Sequence, residues 1–131
     1  LCLPIGCQLK FAGSYARAVG ISPVSSSIRI FMPSQLWPYI TPGIPDDMFE
    51  RLPGIPLSKR EVRLLLISHL RLQPDSVLWD IGAGTGTIPV EVGLLCPQGR
   101  IIAVERDEEV ASLIRRNCSQ FEVANVEVIE A

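Results

Sequence analysis

Ser76-Val77-Leu78-Trp79-Asp80-Ile81-Gly82-Ala83-Gly84-Thr85-Gly86 decides how this chain folds. Its first six residues are an apolar run of strand length, the kind that suits a parallel strand buried on both faces, with Trp79 in the core. Gly82 to Gly86 is then a glycine-rich loop. Thr87 to Leu95 continues as a helix, because Pro89 falls in the first turn, where a missing N–H costs nothing. Downstream, Pro97-Gln98-Gly99 turns the chain into a second strand, Arg100 to Glu105. Asp107 caps a further helix whose core face is Val110, Leu113, Ile114, Asn117, Cys118 and Phe121. Asn125 to Glu130 reads as a third strand. Upstream, Pro74-Asp75 is a turn, and Ser58-Lys59-Arg60-Glu61 has the S-x-x-E form of a capping box. Val62, Leu65, Leu66, His69 and Leu70 then keep helical spacing, so a helix is expected over about 58–70. Strands alternating with short helices predict an α/β fold. Its parallel sheet has strand order 3-2-1, with helices on both faces, and the chain stops after the third strand.

At 131 residues the chain has room for one small domain. Its apolar fraction of 47% with 20% charged residues describes a globular protein. A net charge of -2 gives no basic surface for nucleic acid. No apolar run reaches the roughly 18 residues that cross a bilayer, so no membrane span is expected. Cys2, Cys7, Cys96 and Cys118 form no C-x-x-C pair and no Cys/His cluster, which predicts no metal site and reduced thiols in a cytoplasmic protein.

Before Asp46 the chain has no acid, while Lys10, Arg17 and Arg29 lie among Ser, Gly and Pro. Such a start has transit-peptide character, yet residue 1 is Leu and Met32 directly precedes the organised sequence. Residues 1–31 are therefore read as upstream or disordered sequence outside the fold. Residues 32–57 follow as a proline-rich extended arm carrying P-G-I-P twice, and 58–131 as the front of the folded domain.

Chemistry concentrates on Asp80 to Gly86 and on Glu105, nineteen residues beyond Gly86. Nucleotide-type ligands sit at the carboxyl ends of parallel strands, where a glycine loop lets backbone approach them and opens a helix. An acid ending the second strand can accept hydrogen bonds from both ribose hydroxyls. A dinucleotide fingerprint, G-x-G-x-x-G, would need glycine where Thr87 stands, and no G-K-[ST] follows to make a phosphate loop. Asp80 would repel a pyrophosphate but attract the ammonium of a methionine moiety, whose carboxylate could face the helix N-terminus. S-adenosylmethionine fits this pattern better than NAD. The bland alternative is a glycine turn that merely rounds a tight corner; the flanking strand, helix and acid argue for a cofactor.

Asp80 to Gly86 with Glu105 resembles the Rossmann-like class I methyltransferases. Ile44-Pro45-Asp46-Asp47-Met48-Phe49-Glu50, Pro53-Gly54-Ile55-Pro56 and Glu61-Val62-Arg63 resemble the opening of the decarboxylating precorrin-6 methyltransferases of cobalamin biosynthesis. The resemblance runs from about Met32 to the end of the chain. It implies cofactor contacts at Ser58, Asp80, Gly82, Ala83, Gly84, Thr85, Gly86 and Glu105. In relatives the ribose acid is often Asp, and Glu keeps the charge with longer reach. The implied reaction methylates carbon 15 of a precorrin tetrapyrrole and removes carbon dioxide from an acetate side chain. A homo-oligomer, and a functional partner that methylates carbon 5, are implied as well. Because the substrate bears many carboxylates, Arg51, Lys59, Arg60 and Arg63 are candidate anchors, against the plainer reading of a solvated basic helix face. No residue presents itself as catalytic base.

Rival readings are another class I methyltransferase, acting on isoaspartyl protein or tRNA, and a non-catalytic fragment or binding module. His69, the sole histidine, reads as packed or dipole-stabilised near a helix C-terminus. Trp37 and Tyr39 in the arm could meet substrate or a second subunit.

Overall fold

Parallel pairing joins the three strands of the computed structural model, which describes residues 36–131. β1 (Val77–Ile81) pairs with β2 (Arg100–Glu105), and β2 with β3 (Val126–Glu130), giving the expected order. Three helices accompany them: α1 (Arg60–Leu70), α2 (Thr87–Leu95) and α3 (Glu108–Gln120). The reading of residues 1–31 lies outside the described residues.

Ile101 and Ala103 share one face of β2, and both pack against helices. Ile101 meets Ile67 of α1 with Val92 of α2 and Cys96 just beyond it; Ala103 meets Val90 of α2 with Ile114 and Cys118 of α3. Two right-handed crossovers stepping the same way across a sheet put α2 and α3 on one side, and Ile67 of α1 packs in the same cluster as Val92 and Ile101, so the described helices cover one face where helices on both were expected. Asp107 caps α3 through Oδ1, which accepts from the N–H groups of Glu109 and Val110 at 2.9 and 3.1 Å. Every residue predicted for the core face of α3 is buried.

Three further expectations need correction. Val77, Trp79 and Ile81 are 65%, 60% and 71% exposed, because they point to the sheet face that no described helix covers, while the alternate residue Leu78 faces the helices. Trp79 therefore lies outside the core that the described residues form. The regularly spaced Val62, Leu65, Leu66 and Leu70 of α1 lie on the exposed side, and Arg63 and Ile67 are the buried ones. No capping box forms either: α1 begins at Arg60 with Lys59 as cap and no side-chain cap bond. Ser58 lies one residue before the cap, and its carbonyl accepts from the Arg63 guanidinium.

Residues 41–59 form an extended arm, apart from a short 3-10 turn at Asp46–Met48, which lies on the helical layer. Ile44 and Phe49 bury their side chains in the same core as Ile114 and Phe121. Trp37 and Tyr39 stack edge to face with ring centroids 4.8 Å apart, and the Trp37 indole donates to the Thr41 carbonyl.

The glycine-loop cleft, a candidate cofactor site

β1 ends at the loop, and β2 holds it there. The N–H groups of Gly82 and Ala83 both donate to the Val104 carbonyl, at 2.8 and 3.1 Å. Glu105, one residue on, accepts from Gly84 N–H through Oε2 at 3.0 Å and from Arg106 N–H through Oε1 at 2.8 Å. The acid at the end of the second strand therefore fixes the loop. It does not make the side-chain pair with Arg106 or Lys59 that a purely surface role would predict.

Two glycines of the loop have different reasons to be glycine. Gly82 has φ +77°, and a Cβ there would meet nothing within 4 Å, so its backbone is open to a ligand. Gly86 has φ +79° and is buried; a Cβ would come within 2.8 Å of Ile114 Cγ2. Packing of α2 on α3 thus accounts for Gly86, which does not line the cleft.

The cleft itself has a volume of about 190 Å³ between the loop and the arm. Ser58, Asp80, Gly82, Ala83, Gly84 and Thr85 line it, as six of the eight candidate cofactor residues, while Gly86 lies beneath and Glu105 acts on it through Gly84. Pro56, Leu57, Thr87 and Ile88 line it too. Sequence reading passed over these four, although Pro56 and Leu57 abut Ser58 and Thr87 follows the loop directly. Asp80 is half-buried at the strand end, and burial pushes its carboxyl above the usual carboxylate range. No side chain among the described residues pairs with it. An open backbone beside an unpaired carboxylate suits a ligand bearing both an adenosine and a cation. A larger groove, about 500 Å³, lies between α1 and the turn before β1, lined by Pro42, Leu64, Ile67 and Leu95 and away from the loop.

The four basic candidates do not stay together. Arg51, Lys59 and Arg60 are exposed, and Arg60 pairs with Glu61 at 3.3 Å. Arg63 is fully buried. Its Nε meets Glu91 Oε1 at 2.7 Å, and its Nη1 meets Asp46 Oδ1 at 2.7 Å. Enclosed by protein groups, it cannot be a solvent-side anchor for substrate. His69 is exposed in the last turn of α1, so it is not packed.

A parallel sheet in this order, with a glycine loop after the first strand and an acid ending the second, defines the Rossmann-like fold of the class I methyltransferases. Residues 47–131 match the precorrin methyltransferase domain family, and the chain belongs to that family. It is 50% identical over 90 residues to a probable cobalt-precorrin-6B C(15)-methyltransferase (decarboxylating) of Pyrobaculum calidifontis, a match covering 68% of this chain and 46% of that protein. Among solved structures it resembles precorrin-6y C5,15-methyltransferase from Geobacter metallireducens, with TM-score 0.65 and 42% identity over 71% of this chain and 49% of that one. It also resembles the precorrin 8w decarboxylase of Methanobacterium thermoautotrophicum, with TM-score 0.60 and 31% identity over 66% and 47% of the two chains. The chain spans about half the length of the curated relatives it matches. The family match decides among the methyltransferases that the glycine loop alone left open.

Proposed function

We propose that this protein binds S-adenosylmethionine in the cleft between arm and loop. We further propose that it takes part in methylating carbon 15 of a precorrin-6 type tetrapyrrole, with decarboxylation of an acetate side chain. One observation carries the cofactor reading: the half-buried, unpaired Asp80 carboxylate beside the open Gly82 backbone. A cation offsets the desolvation of that carboxylate, whereas a pyrophosphate would add to it. When bound, the cofactor supplies an electrophilic methyl group on a sulfonium. In the reaction a nucleophilic carbon of the tetrapyrrole gains the methyl, and the electron pair of the broken bond stays on sulfur. The chain contributes position and exclusion of water. Glu105 orients the ribose while steadying Gly84: Oε1 is taken up by the N–H groups of Arg106 and Asp107, and Oε2 keeps a second lone pair for a hydroxyl. Arg51, Lys59 and Arg60 are the exposed cations left to meet substrate carboxylates. The resemblance supplies the remaining expectations of a homo-oligomer and a partner methylating carbon 5. A cytoplasmic location accords with the free, buried thiols of Cys96 and Cys118.

Calorimetry with S-adenosylhomocysteine and NAD tests the reading. The homocysteine product should bind and NAD should not. Glu105→Ala should weaken binding by about tenfold to one-hundredfold, since charge-assisted hydrogen bonds are worth about 1.5–3 kcal/mol. NAD binding without affinity for the product would overturn the cofactor, and an unchanged Ala variant would overturn the ribose assignment.

A further inference from the structure

Arg63 spends its buried guanidinium on the arm. Besides Asp46 and Glu91 it donates to two backbone carbonyls, Ser58 and Ile44. Glu91 extends the grip, its Oε2 accepting from Gly43 N–H at 2.6 Å. The stretch Pro56-Leu57-Ser58 is the part of the arm that walls the cleft, and it has no regular secondary structure. Its fixings are few. The Pro56 carbonyl accepts from Thr85 Oγ1 at 3.1 Å, Leu57 packs on the core, and the Ser58 carbonyl is held by Arg63. One anchor comes from the glycine loop and one from α1, so the width of the cleft depends on both. With its carbonyl turned to Arg63, Ser58 stands at the cleft.

We propose that Arg63, held by Glu91 and Asp46, is a positioning residue for cofactor binding: it fixes the Pro56–Ser58 strap against the glycine loop and thereby sets the geometry of the cleft. This rests on the cofactor reading above. A planar guanidinium can serve acceptors in several directions at once, whereas an ammonium on a flexible stem cannot reach all of them. Arg63→Lys keeps the buried charge for Glu91 but releases carbonyls. Asp46→Asn, at a less buried contact, loosens the same guanidinium more gently.

The test uses the whole chain and both variants, at a temperature where circular dichroism shows them folded. Trypsin cleavage after Lys59 and Arg60, at the end of the strap, is compared by mass spectrometry with cleavage after Arg115 and Arg116 on α3. Cleavage at the strap should accelerate at least about fivefold with little change on α3, and S-adenosylhomocysteine should bind about tenfold more weakly, a change of about 1.4 kcal/mol. Wild-type affinity in both folded variants, or acceleration alike at every site, would overturn the proposal and leave Arg63 a core residue. Absence of binding by the wild-type chain would instead overturn the cofactor reading and the proposal with it. The ligand-free cleavage pattern would still report whether Arg63 holds the strap.

Discussion

Asp80 sets stability against binding. Burial raises its carboxyl above the ordinary value, so the folded protein takes up this proton more readily than the unfolded chain does. The residue's contribution to stability is therefore full below the ordinary carboxylate value and is lost as pH rises through the raised one. At neutral pH the ionised form opposes folding, and a bound cation offsets that cost. Binding runs the other way, weakening as pH falls through the raised value. Asp80→Asn should raise the unfolding midpoint at neutral pH and weaken S-adenosylhomocysteine by about tenfold to one-hundredfold. It should also flatten the acid-side decline. Calorimetry across a pH series checks all three, and wild-type affinity in the variant would remove Asp80 from the site.

Elements meet most tightly where α2 begins. Gly86 is the left-handed cap of α2 and lies against Ile114 of α3, so a methyl group there meets both strain and overlap. Gly86→Ala should cost about 2–5 kcal/mol, summing about 1–2 for the left-handed backbone and about 1–3 for overpacking. Gly82→Ala has the same backbone strain but open space, and should cost only about 1–2 kcal/mol. Urea denaturation of the pair separates the terms; equal losses would mean that contact with Ile114 contributes nothing. The α1 error belongs to this scale as well. Its leucine spacing marks a helix, but spacing cannot say which side meets the core when the buried side is centred on an arginine.

For the molecule as a whole, two apolar patches stay bare among the described residues. Val77, Trp79 and Ile81 line the exposed side of an edge strand, and Val62 and Leu65 on α1 are more than half exposed. Apolar edges of this kind promote association. The 131-residue chain should sediment with a mass that rises with concentration across the micromolar range, and Trp79→Glu should shift it towards monomer. A wild-type chain that stays monomeric throughout that range would count against the claim.

Sequence alone determined the elements whose causes are local. The apolar runs, the glycine loop, the Asp107 cap and the 3.6-residue face of α3 named each described strand and α-helix within a residue or two, and alternation implied their parallel order. It also located most of the cleft, because a loop between a strand and its helix carries its ligand groups in one continuous stretch. Tertiary structure alone decided what depends on distant neighbours. Glu91, 28 residues from Arg63, makes that arginine a core residue and takes it out of reach of substrate. Asn117 of α3 holds the Thr85 carbonyl of the loop and both backbone groups of Glu50 in the arm, a role that its place on a core stripe does not disclose. Ser58 matches a capping box by spacing but caps nothing, which only the fold discloses, while its place at the cleft agrees with what the family resemblance implied. The physical reason is the same in each case: a polar side chain takes its role from the partners that folding brings within hydrogen-bond reach, and those partners lie far away in sequence.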